Sequence, residues 1–238
     1  MKICQIIDLG TIEYAEAWAL QKRIVAARKA DAIEDVLLLC EHPHVITLGR
    51  NGKRENLLAS EHVLRQKGVE LFETSRGGDI TYHGPGQIVG YPILNLGAIR
   101  RDVVWYVRML EEAMIRATAE FGITPNRIAG RTGIWVRGGH TEEKLGAIGV
   151  HISRWVTSHG FAFNVSTDLR FFDLIVPCGI ADCKATSLEK LLGRGVEESA
   201  VAPRIARHLG EVFGLEMKEA SQKVLLQFLE QAEQSATV

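Results

Sequence analysis

Three short segments hold most of the residues that could do chemistry. The first, Arg76-Gly77-Gly78-Asp79-Ile80-Thr81-Tyr82-His83-Gly84-Pro85-Gly86-Gln87, sets an arginine, an aspartate, a threonine, a tyrosine, a histidine and a glutamine among four glycines. Glycines let a ligand reach backbone N–H groups, and an arginine there could hold a phosphate or a carboxylate. The segment is neither the G-x-G-x-x-G of a dinucleotide site nor a P-loop. A strand–turn–strand carrying surface polar groups is the plainer alternative. The second segment, KLGAIGVHI, opens on Lys144, either a solvated strand end or a charge aimed into a pocket. The third is IVPCGI, where Cys178 stands between Pro177 and Gly179 after an apolar run. That setting suits an exposed thiol, although an unreactive structural cysteine fits it equally. A nearby ammonium draws a thiol pKa toward neutrality, and the thiolate is the nucleophile. Lys144 and Cys178 lie far apart in sequence, so only the fold can pair them. A Cys–His pair through His83 or His159 is also open to these residue types.

The other cysteines and histidines add no second site. Cys178 and Cys183 are spaced C-x-x-x-x-C, without a second cysteine pair or an H-x-x-x-H partner, so neither zinc nor dithiol redox chemistry is expected. Cys4 and Cys40 sit in the apolar runs KICQII and VLLLCEH and read as buried strand residues. Of eight histidines only His42-Pro43-His44 approaches a ligand pattern, and weakly.

The elements that must position these groups follow from periodicity. Strands are expected at 3–7, 35–40, 44–48, 69–73 and 87–94. A helix over 12–29 groups Tyr14, Trp18, Ile24 and Val25. Ser60 caps a short helix that Gly68 ends. A strong amphipathic helix over 102–121 lines up Val103, Tyr106, Val107, Leu110, Met114 and Ala117. Residues 132–138, 144–152 and 156–166 read as a β meander, with Gly138-Gly139 as a hairpin signal. Helices close the chain near 186–192, 199–213 and 217–233. The class is α+β: a mixed, mostly antiparallel sheet with helices packed to one side, without regular βαβ alternation. Of 23 glycines, eleven fall within 76–90 and 130–149, where they make either turns or room.

Composition narrows the function. The 238 residues, with no repeat or long linker, predict one domain. A formal net charge of −1 leaves no basic footprint for nucleic acid. No apolar run is long enough to span a membrane. The opening MKICQIIDLG makes a poor signal peptide, so reduced thiols and a cytoplasmic location are expected.

In order and spacing, RGGDITYHGPGQ, KLGAIGVHI, HGFAFNVSTDL and IVPCGI resemble the lipoyl(octanoyl) transferase family, of the biotin and lipoate protein ligase fold group. The likeness spans about residues 35–192; the stretch after 193 carries no motif. It implies transfer of an octanoyl group from octanoyl-acyl carrier protein to a lysine of a lipoyl domain, either in a 2-oxoacid dehydrogenase complex or in the glycine cleavage H protein. The family's acyl-thioester cysteine falls on Cys178, and the lysine that lowers its pKa falls on Lys144. The acyl-pocket segments fall on Arg76, Gly77, Gly78, Asp79, Ile80, Thr81, Tyr82 and His83, on Ala147, Ile148 and Gly149, and on Gly160, Phe161 and Ala162. The resemblance implies no ATP and no metal, and a monomer is expected. The competing readings are an ATP-dependent lipoate or biotin protein ligase, which needs no cysteine nucleophile, and a non-catalytic acyl-binding module.

Overall fold

In the computed structural model, residues 2–138, 141–177 and 184–235 are described. The run VLLLC becomes β2 (Asp35–Glu41), buried along almost its whole length. A strand is that apolar only when both of its faces are covered. Leu37 and Leu39 pack into one core, with Tyr106, Leu110, Met114, Ile205 and Leu209. Val36, Leu38 and Cys40 pack into another, with Ala17, Leu20, Ile24, Leu225 and Leu229. Those partners lie on α3 (Val103–Ala119) and α5 (Glu198–Phe213) on one face, and on α1 (Tyr14–Lys29) and α6 (Gln222–Ser235) on the other. Helices therefore cover both faces of the sheet, which corrects the one-sided packing expected from the sequence.

The large sheet has the order β12-β1-β2-β6-β10-β9-β8-β7, with β11 also pairing β9. Its strands are β1 (Lys2–Thr11), β2, β6 (Gln87–Ile93), β7 (Asn126–Ile128), β8 (Arg131–Gly138), β9 (Thr141–Ser153), β10 (Val156–Asn164), β11 (Lys184–Ala185) and β12 (Leu215–Glu219). Antiparallel pairing runs from β2 through β6, β10, β9 and β8 to β7. At the other edge β1 pairs parallel with both β2 and β12. A small sheet sets β3 (Val45–Leu48) between β4 (Glu70–Glu73) and β5 (Ile80–His83). The class is the mixed α+β expected.

The expected helix over 217–233 begins instead at Gln222, and residues 215–219 form β12. Gly214, at φ 67°, stops α5, and the LEMKE that follows puts buried Leu215 and half-buried Met217 on one side of a strand. The cap read from sequence is in place: Ser60 accepts from the N–H of Val63 at the start of α2 (Glu61–Gln66). Asp102, which the sequence reading did not single out, accepts from that of Trp105 at the start of α3.

Candidate active site

A pocket of about 350 Å³ opens between the large sheet and β5. Its floor follows from the pairing of β9 with β10, which sets Ala147 opposite Ala162 and Gly149 opposite Gly160. The Ala147–Ala162 pair presents nothing larger than a methyl group, and the facing wall carries Thr81 and His83. Lys144 lines the same pocket, although three residues from Ala147 it would face the opposite side of a regular strand. A bulge resolves this: Ile134 pairs with Gly146 but Trp135 with Lys144, so Leu145 is an extra residue that re-aims its neighbours.

Arg76, Gly77, Gly78, Asp79, Ile80, Thr81, His83, Lys144, Ala147, Ile148, Gly149, Gly160, Phe161 and Ala162 all line this pocket. Tyr82 does not. It is fully buried in the cluster beneath the small sheet, and its hydroxyl meets His44 Nδ1 at 2.7 Å. Strand alternation sends Tyr82 away from the side that Thr81 and His83 share. Cys178 and Cys183 lie outside the described residues, as does Gly139 of the hairpin signal. Pro177 is described, and it shares a small recess with Lys144, Thr81, Ala147, Ala162, Gln87 and Asn164.

The polar groups are mostly engaged. Arg76 donates from Nε to Thr47 Oγ1 (3.1 Å), from Nη2 to Thr47 O (2.6 Å) and from Nη1 to the Gly77 carbonyl (3.1 Å). Much of its hydrogen-bonding capacity thus braces the pocket wall that it lines. Asp79 accepts from the N–H of Lys53 and the amide of Asn56, and the Asn56 carbonyl accepts from Val176 N–H at 2.7 Å. That relay anchors the segment leading from the 3-10 helix Leu169–Leu174 to Pro177. His83 donates from Nδ1 to Gln87 Oε1 (2.7 Å), Gln87 donates to Asn164 Oδ1 (2.8 Å), and Asn164 donates to Thr186 O (2.9 Å). The Thr186 N–H in turn binds the Lys144 carbonyl at 2.9 Å, joining the His83 wall to the strand that carries the lysine.

Burial, aided by neighbouring cations, pushes His83 and His159 down to about 3. Both imidazoles are therefore neutral and too weakly basic to deprotonate a thiol at neutral pH. Burial pushes the Cys4 and Cys40 thiols well up, which leaves both unreactive. Among the described residues no cluster of His, Cys, Asp and Glu is arranged to hold a metal, and no helix is long and apolar enough to cross a membrane.

Some lining residues gave no local signal in the sequence. Tyr14, Val89, Tyr91 and Val107 come from α1, β6 and α3 and read only as core periodicity. Gly130, Arg131 and Thr132 contribute the turn into β8; the glycine cluster pointed to that turn but not to its place on the pocket.

The lipoyl protein ligase A/B catalytic domain family matches residues 13–210. An octanoyltransferase of Acidobacterium capsulatum is 53% identical over 226 residues, covering 89% of this chain and 91% of the relative. Among solved structures, a bipartite lipoate protein ligase of Thermoplasma acidophilum superposes with a TM-score of 0.76 at 14% identity, covering 99% of this chain and 92% of that one. The biotin protein ligase of Aquifex aeolicus superposes at 0.51 and 13%, covering 90% and 70%.

Proposed function

The chain belongs to the lipoyl protein ligase A/B catalytic domain family, and within it to the octanoyltransferases; from that premise we propose that it carries the octanoyl group through a thioester on Cys178. The donor is octanoyl-acyl carrier protein and the acceptor a lysine of a lipoyl domain, in the cytoplasm, without ATP or metal. The Cys178 thiolate attacks the carbonyl of the donor thioester. A new C–S bond forms, the old one breaks, and the carrier thiolate leaves and takes up a proton. Thioester replaces thioester, so this step is near balance. The acceptor amine then attacks the Cys178 thioester. A C–N bond forms, the C–S bond breaks, the amine loses a proton, and the thiolate is restored. The amide makes this second step downhill, and two moderate barriers replace one high one.

Each residue has a physical task in this scheme. The Lys144 ammonium stabilises the thiolate and relays the proton that the amine gives up. The acyl chain lies over the Ala147–Ala162 floor, where each buried methylene contributes about 0.8 kcal/mol. His83 and His159, neutral at pH 7, shape the pocket rather than act as bases. One observation supports the reading most directly. Pro177, the residue before Cys178, and Lys144 share a recess whose Thr81, Ala147 and Ala162 also line the larger pocket.

The rival is an ATP-dependent ligase, because the fold alone is shared with lipoate ligases. Incubation with octanoyl-carrier protein and no ATP, read by intact mass, separates them. The proposal expects an octanoyl adduct on the wild type and none on Cys178→Ala. Acylation of the acceptor that requires ATP and survives Cys178→Ala would overturn it.

A further inference from the structure

Trp135 plays no part in the scheme above, yet its position is unusual for a core residue. It pairs across the sheet with Lys144 at the β-bulge, and its indole is fully buried. The Lys144 Nζ stands 4.6 Å from the ring centroid, and the Arg131 guanidinium lies over the same ring at 5.8 Å. The indole Nε1 is buried with no hydrogen-bond partner among the described residues. An unpaired buried donor costs free energy, so a phenylalanine or leucine would fill this place more favourably if packing were its only purpose. What an indole offers beyond those side chains is the most electron-rich ring face for a cation, worth most where water is excluded.

We infer that Trp135 is a positioning residue for Lys144. Its ring face holds the ammonium at the pocket wall, so that the charge bears on the Cys178 thiol. The bulge and the indole act together: the extra residue turns the lysine toward the pocket, and the ring fixes where its charge sits. This rests on the Cys178–Lys144 reading of the preceding section.

The test is the pH dependence of Cys178 alkylation by iodoacetamide, read on the Cys178 peptide by mass, in the full-length chain. Lys144→Met raises the midpoint if the lysine governs the thiol. Trp135→Leu then raises it in the same direction and slows acylation at pH 7 by about three- to tenfold. It does so through kcat, with KM for the octanoyl donor little changed. Trp135→Phe, which keeps a weaker ring face, falls between. In the Lys144→Met background Trp135→Phe adds no further shift, and this double variant decides the matter even if Trp135→Leu fails to fold. The inference is overturned if both Trp135 variants keep the wild-type midpoint while Lys144→Met moves it. It is overturned equally if the Trp135→Phe shift persists in full without the lysine, since the ring then acts by packing. A wild-type midpoint in Lys144→Met would instead overturn the Cys178–Lys144 pairing itself.

Discussion

At the scale of the residue, the glycines have a divided role. A Cβ on Gly149 would stand 2.9 Å from Arg76 Cδ, and one on Gly90 would stand 2.1 Å from the Phe161 ring. Much of the room they make is taken by the protein's own side chains. The bare floor comes instead from Ala147 and Ala162, which as alanines carry no signal in composition. The clustering was legible in the sequence; what occupies the vacated space depends on which strands meet, and no local pattern records that. Ala147→Leu should fill the floor without disturbing the core. Transfer from an octanoyl donor is expected to fall about tenfold or more relative to a butyryl donor, because the longer chain loses several buried methylenes. Competition between the two donors measures it, and an unchanged ratio would place the acyl chain elsewhere. Gly149→Ala should push Arg76 off its Thr47 contacts and cost about 1–3 kcal/mol in urea unfolding.

At the scale of the element, polar side chains hold the strands and loops that carry the site. Glu111 on α3 is fully buried; it accepts from Gly133 N–H at 3.0 Å, from Arg108 at 2.7 Å and from Arg127 at 3.1 Å. It thus ties the β7–β8 turn, and with it Gly130, Arg131 and Thr132, to the helix. Glu111→Ala should cost about 1–3 kcal/mol, because it leaves the buried Gly133 N–H without its acceptor while Arg127 keeps Glu112; a loss well under 1 kcal/mol in urea titration would contradict that. Asp79→Ala should release the loop that holds Val176 and slow Cys178 acylation several-fold without abolishing it, as single-turnover mass measurements would record. Helix α3 was legible because Tyr106, Leu110, Met114 and Ala117 repeat at helical spacing. The burial of Glu111 was not, since a glutamate between apolar turns reads as solvated until its partners arrive from β7 and β8. The strand β12 was missed because five residues between two helices are too few to establish a period.

At the scale of the whole molecule, the α+β class was legible in the periodicity, and the 76–83, 144–149 and 160–162 stretches of the pocket in the motifs. The covering of both sheet faces was not, because β2 is apolar from Val36 to Cys40 and hides which residues face which helix. The buried histidines make a prediction about the entire fold. His83 and His159 sit near 3 when folded and near 6.5 when unfolded, so below about pH 6.5 the unfolded chain takes up protons that the folded one refuses. Stability should be flat above pH 7 and decline as the pH falls from 6.5, by up to about 2 kcal/mol for each histidine at pH 5. Urea midpoints at pH 7.5, 6 and 5 test this, and a midpoint that holds or rises on acidification would contradict it. The proposed reaction too belongs to the whole molecule, since it needs β5, β9 and β10 around one pocket, with Pro177 beside it. In that proposed reaction the acyl group pauses on Cys178. The most direct measurement isolates the octanoylated chain, freed of donor and ATP, and mixes it with a lipoyl domain. The octanoyl mass is expected to leave Cys178 and appear on the acceptor lysine in one turnover. An adduct that stays on the enzyme while the full mixture still octanoylates the acceptor would contradict it.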